Sequence, residues 1–211
     1  MTINNILAVV AHPDDLEIMA GGSILRFLKE GKKVHVLVLT TGSWKNPEGV
    51  VVRSLEDIQK EVDNVKAYVN YTTYEVLNEE TENLKFKDEL VCEVLKRIAD
   101  YKIDTIITTW DHDTANDHKV ASAIALAACR RVPNFLMGQI NYYMTTFFTP
   151  NFYVDITDTW QNKLELISCF TSQWERNCKD WTEFLGSTSE YYGKVAGVKR
   201  AEGFIIGKLR Y

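Results

Sequence analysis

The chain reads as an α/β protein on a mostly parallel sheet. Three observations predict this. Short apolar runs rich in β-branched residues alternate with longer segments of helical apolar spacing. Glycine- and asparagine-rich turns separate them. The histidines and carboxylates gather just after strands, where open α/β sheets place their ligands.

The elements follow in order. Ile6 to Val10 is a buried strand, and Leu16 to Gly31 is a helix ending on Gly31 as its C-cap. Gly21 and Gly22 cost that helix roughly 1 kcal/mol each against alanine. Close packing on the sheet or near a site is the expected compensation. Lys33 to Thr40 is the second strand; His35 on it is read as structural. Thr41 to Val52, with Gly42, Asn46, Pro47 and Gly49, is a loop. Trp44 in it covers a sugar ring or packs on the loop, with packing preferred. Arg53 to Tyr68 is a helix with Arg53 at the sheet's carboxyl edge. Tyr74 to Leu77 is a strand, and Glu79, Glu80 and Glu82 are solvated loop charges. Asp88 to Tyr101 is a helix, Ile103 to Thr109 a buried strand, and Val120 to Arg131 an alanine-rich helix stopped before Pro133. Gln139 to Pro150 and Phe152 to Ile156 read as strands. Their aromatics, Tyr142, Tyr143, Phe147 and Phe148, are core or pocket wall, with core preferred. Asp158 to Trp174 and most of Ser189 to Phe204 read as helix.

Composition bounds the function. The 211 residues are 45% hydrophobic and 25% charged, enough for one sizeable core, so a single domain over 1–211 is expected. The net charge of -5 and the lack of a basic stripe argue against nucleic acid. No apolar run spans a bilayer and the first strand begins almost at once. A membrane partner is therefore not expected, and a cytoplasmic location follows by default. Cys92, Cys129, Cys169 and Cys178 form no CxxC pair and read as thiols. A homo-oligomer is allowed but not legible.

The chemistry concentrates in two turns. Ala11-His12-Pro13-Asp14-Asp15 joins the first strand to its helix. His12 and Asp15, three apart, project to one side of the entering helix, and Asp14 points elsewhere. An imidazole and a carboxylate suit zinc, whose catalytic sites use three protein ligands. Alternatively, both aspartates simply offset the helix's positive end. The second turn, Trp110 to His118, occupies the same kind of strand end. Three of the four histidines fall in these two turns, and their convergence on one ion favours the metal reading.

With both clusters in view, the sequence resembles the LmbE-like, or PIG-L, family of zinc-dependent N-deacetylases. The resemblance rests on Ala11 to Asp15 with Glu17 and Gly21-Gly22, on Arg53-Ser54-Leu55-Glu56, and on Asn116-Asp117-His118. Weaker echoes lie at Val154 to Thr157, at Lys163, Ser172 and Gln173, and at Ala201 to Phe204. It implies a Rossmann-like three-layer α/β/α sandwich. It also implies Zn2+, or another divalent ion, on His12, Asp15 and His118. Asp14 would be the general base, Arg53 a contact to substrate hydroxyls, and Asp117 a support behind the ligands. The substrate would be an N-acylated amino sugar, or a glycoside or nucleotide carrying one. One position departs: the family's oxyanion histidine, three before the third ligand, is Ala115, with His112 a candidate substitute. A weak or inactive sugar-binding relative that keeps the metal is the alternative, and a metal-free α/β binding protein a third reading.

Overall fold

The computed structural model describes residues 3–141 and 148–210. In chain order the elements are β1 (Asn5–Val10), α1 (Asp15–Lys29), β2 (Lys33–Thr40), β3 (Trp44–Lys45), β4 (Val51–Arg53), α2 (Leu55–Tyr68), β5 (Thr73–Glu79) and α3 (Asp88–Asp100). Then come β6 (Thr105–Thr109), α4 (Asn116–Ala128), a 3-10 turn at Cys129–Arg131, β7 (Asn134–Gly138), β8 (Phe152–Asp155), α5 (Trp160–Ser168), α6 (Thr171–Ala196) and β9 (Ala201–Lys208).

Seven strands form one sheet in the order β5-β2-β1-β6-β7-β9-β8, with β3 and β4 a separate hairpin. β5, β2, β1, β6 and β7 are parallel, and β9 runs antiparallel to β7 and β8. The period of two along a strand divides β1 between two cores. Ile6, Ala8 and Val10 pack on the side that holds Leu16, Val62, Leu166 and Phe170. Leu7 and Val9 pack with Val94, Ile124 and Ala125 of α3 and α4. A strand covered on both faces must be apolar throughout, which is why β1 reads as an unbroken run. This is the α/β arrangement that the alternation predicts and the Rossmann-like sandwich that the resemblance implies. From β1 the chain winds outward through β2 to β5, then returns to β6 on the other side of β1 and continues to β7. The switch point therefore lies between β1 and β6, whose ends are in register at Val9 and Thr108.

Gly22 is explained by packing. A Cβ there would stand 2.8 Å from the Ile156 side chain, so α1 lies against the segment entering α5.

Several boundaries differ from expectation. The expected loop over Thr41 to Val52 holds β3 and most of β4, and Arg53 ends β4 rather than opening α2. β7 was not predicted: Phe135-Leu136-Met137 lacks β-branched residues, and its place is fixed by pairing with β6 and β9. The expected strand over Gln139 to Pro150 is not found where the chain is described, and Tyr142, Tyr143 and Phe147 lie outside the described residues. Asp158 to Trp174 divides into α5 and the start of α6. The expected helix over Ser189 to Phe204 ends at Ala196, and β9 follows. The returning chain brings Lys199 O to 2.6 Å from where a Cβ of Gly193 would stand, so only glycine fits there. Among the described residues no helix is long and apolar enough to cross a membrane.

Candidate metal centre and its cavity

Two turns meet at the switch point. The first follows β1. Asp14 adopts φ 119°, a left-handed conformation uncommon for a side-chain-bearing residue and typical of strained functional turns. This aims Asp14 away from Asp15. Asp15 Oδ2 accepts from Ala11 N (3.1 Å) and His12 N (2.8 Å), which locks the turn. The second turn follows β6, and Thr109 Oγ1 donates to His118 O at 2.7 Å, pinning the start of α4.

His12, Asp15 and His118 each present one donor atom, all within 4.8 Å of one another. Asp15 Oδ1 lies 3.6 Å from His12 Nδ1 and 3.2 Å from His118 Nε2. The far nitrogens have their own carboxylates. His12 Nε2 is 3.0 Å from Asp117 Oδ2, and His118 Nδ1 is 3.0 Å from Asp113 Oδ1. Carboxylates behind both rings leave the inner nitrogens to share a ligand. Asp117 also accepts from Glu82 N (2.6 Å) and Leu84 N (3.1 Å), which ties the loop after β5 to the site. Asp113 accepts from Ala115 N at 2.8 Å and from Asn141 Nδ2.

Asp14 stands beside this group. Its Oδ2 is 3.2 Å from Arg53 Nη1. Arg53 also donates to Pro13 O (3.1 Å) and, from Nε and Nη2, to Glu61 Oε2 (3.0 and 2.7 Å). Four of the five guanidinium N–H groups are thus engaged within the protein.

The charges do not balance. Asp14, Asp15, Asp113, Asp117 and Glu61 are all buried, and Arg53 is the permanent cation among them. Burial raises the Asp14 carboxyl to about 6, with Arg53 opposing and Asp15 adding to the rise. Burial also acts upward on Asp15, but His118 and His12 overcome it and hold that carboxyl far below the usual range. Burial lowers both imidazoles, yet Asp15 with Asp117 lifts His12 to about 9, and Asp15 with Asp113 lifts His118 to about 10. The site draws positive charge to its centre. Two imidazole nitrogens and one carboxylate oxygen are a donor set that suits a divalent transition ion, so the residues fit one.

A cavity of about 690 Å3 adjoins the centre. Its lining includes Trp44, Arg53, Ser54, Thr81 and Glu82. Arg53 and Glu82 connect it to the cluster through Asp14 and Asp117. Trp44 carries Arg176 over its ring at 5.0 Å. His112 is placed differently. Its side chain is 69% exposed, its Nδ1 lies 2.8 Å from Asp111 Oδ1, and it is not among the residues lining this cavity. Asp113 and Glu61 were missed by sequence reasoning. Asp113 belongs to the same acidic turn as His118 and is a signal that was there to use. Glu61 reads as an ordinary helix carboxylate until Arg53 is seen folded onto it.

An open α/β sheet with a two-histidine, one-carboxylate centre at its switch point defines a class of candidate metallohydrolase. Residues 7–129 match the PIG-L family, described as GlcNAc-PI de-N-acetylase, and the chain belongs to that family and to its enzyme class, the amide hydrolases. The diacetylchitobiose deacetylase of Thermococcus kodakarensis is 25% identical over 95% of this chain and 82% of its own. The N,N'-diacetylchitobiose deacetylase of Pyrococcus horikoshii superposes with a TM-score of 0.80 at 21% identity, covering 96% of this chain and 83% of that one. The same fold carries other chemistry. The 4-carboxy-2-hydroxymuconate hydratase of Pseudomonas putida KT2440 superposes with a TM-score of 0.83 at 16% identity, covering 99% and 98%.

Proposed function

We propose that the chain acts as one deacetylase domain that hydrolyses the N-acetyl group of an amino sugar, or of a glycoside or nucleotide carrying one. The observation that carries this reading is the three-donor cluster with Asp14 held beside it by Arg53. His12, Asp15 and His118 would hold the metal, for which zinc is the proposed ion. When bound, such an ion supplies Lewis acidity to the amide carbonyl and acidifies water.

The remaining steps belong to the chain's own groups. Asp14 accepts a proton from the attacking water as its oxygen adds to the amide carbon. Asp14 then returns that proton to the nitrogen as the C–N bond breaks, giving acetate and a free amine. Arg53 fixes the Asp14 carboxylate and keeps one N–H to offer a substrate hydroxyl. Asp117 and Asp113 hold the two imidazoles in the orientation that turns Nδ1 of His12 and Nε2 of His118 inward.

The Thermococcus relative is named for diacetylchitobiose, which is therefore the first substrate to try. Acetate release would be measured after chelation and after adding back zinc, cobalt or manganese. Release restored by a divalent ion supports the proposal. A metal-loaded chain that binds acetylated sugars but releases no acetate would support the sugar-binding reading, and hydration of an unsaturated acid would move it toward the hydratase that shares its fold.

A further inference from the structure

We infer that the substrate's aglycone is apolar and lies against Trp44, Val51 and Leu55. This deepens, and rests on, the deacetylase reading above. The cavity lining is of two kinds. Thr41, Ser43 and the segment from Glu80 to Glu82 supply hydroxyls and carboxylates suited to a sugar. The hairpin β3–β4 and the first turn of α2 supply Trp44, Val51 and Leu55, with the charged Lys45 and Glu56 beside them. Val51 and Leu55 are among the most exposed large apolar residues of the molecule, at 53% and 62%, and their neighbour Val50 is exposed at 59%. Scattered apolar residues on a surface need no explanation, but a group gathered on one cavity does.

A second groove of about 320 Å3 adjoins the cavity and shares Thr41 and Leu55 with it; there the edges of the buried Ile58, Val62 and Tyr74 meet Val76 and the polar Gln59 and Lys66. An alkyl or aryl group leaving the sugar at Arg53 would meet Trp44, Val51 and Leu55 first and then this groove. Arg176 stands over the Trp44 ring, its Cζ 5.0 Å from the centroid. The occupant is placed by the shared lining: Trp44, Val51 and Leu55 line the same cavity as Arg53, the side chain that holds Asp14.

The test compares acetate release from the methyl and the hexyl β-glycosides of N-acetylglucosamine, the latter below its micelle concentration. The hexyl glycoside is expected to have a kcat/KM at least about tenfold higher, the scale on which a few methylenes are discriminated by an apolar wall. Trp44→Ser and Leu55→Ser should each draw the hexyl-to-methyl ratio toward one, and Leu55→Met should preserve it. Equal kcat/KM for the two glycosides in the unaltered chain overturns the inference. A dimer that Leu55→Ser dissolves while the ratio stays unchanged assigns the patch to a second copy and also overturns it. If neither glycoside releases acetate, the deacetylase reading fails. Calorimetric binding of the two glycosides then decides the aglycone separately: tenfold tighter hexyl binding sustains it, and equal binding overturns it.

Discussion

Among the described residues, carboxylates are buried against cations at two places that are built to opposite ends. Under α1, Lys163 Nζ donates to Glu202 Oε1 (2.6 Å) and to Ile18 O (2.7 Å). Glu202 also accepts from Gly22 N (3.0 Å) and Ser23 N (2.7 Å). One cation meets one anion, and neutral backbone groups complete both, so the pair ties α1 to α5 and β9. At the switch point, Asp14, Asp15, Asp113, Asp117 and Glu61, with the buried Glu17 close enough to feel Asp14 and Asp15, share one arginine and two imidazoles. There the backbone is strained at Asp14, and the balance is left short of positive charge. The difference separates structure from chemistry. A completed pair fixes position, while an incomplete cluster stores a demand for a cation.

The largest effect should come at the incomplete site. Asp14→Asn is expected to lower turnover by about 10²- to 10⁴-fold, with metal content per chain unchanged. The same change should leave the denaturation midpoint equal or higher, since burial and Asp15 already oppose the charged form. Undiminished acetate release would remove Asp14 from the mechanism and erase the contrast.

The completed pair should answer in the other currency. Lys163→Met leaves Glu202 buried without its counter-charge and is expected to cost about 3–5 kcal/mol of unfolding free energy in urea. Adding Glu202→Gln should recover part of that loss. A single-variant loss under about 1 kcal/mol would show that the pair does not hold α1.

The two sites also differ in how far the sequence exposes them. His12, Asp14 and Asp15 are consecutive or nearly so, and the strand-then-helix pattern around them already says where they sit. Their partner His118 was legible because it follows β6 in the same way. Lys163 and Glu202 are 39 residues apart; the resemblance touches both only as weak echoes, and no local pattern pairs them. Only the topology, with antiparallel β9 beside β7, brings them together under Gly22. β7 and β9 were themselves unreadable, because strand pairing and not intrinsic preference decides them. Trp44 and Arg53 were legible as residues near the sheet edge. The contacts of Arg53 with Pro13 and Glu61 were not, since nothing in the helix pattern marks Glu61.

Between the extremes lies Asp113, a carboxylate that acts through His118. Asp113→Asn keeps the shape but removes the charge behind the ring. It is expected to weaken metal binding by about 10- to 100-fold, read by competition with a chromophoric chelator. Turnover at saturating metal should fall much less than for Asp14→Asn. Metal affinity unchanged by the substitution would leave Asp117 as the only carboxylate positioning a ligand.

The smallest effect belongs to a third group, half in solvent, which calibrates the other two. Glu75 accepts from Arg97 Nη2 (2.7 Å), Arg97 Nε (3.2 Å) and Tyr101 OH (3.2 Å). The Arg97 hydrogen bonds hold its carboxyl below the ordinary 4.5 against the opposing effect of burial. A depressed carboxylate adds stability above its unfolded pKa and loses it as pH falls through the folded one. This contribution is therefore complete above pH 4.5 and declines below it. The Glu75 side chain is 36% exposed, so water screens the pair and the amount should stay under about 1 kcal/mol. Glu75→Gln should flatten that limb of the stability–pH curve without touching activity. A loss as large as that of Lys163→Met would mean that burial is not what separates these pairs, and the contrast between the sealed pair and the open cluster would have to rest on charge count alone.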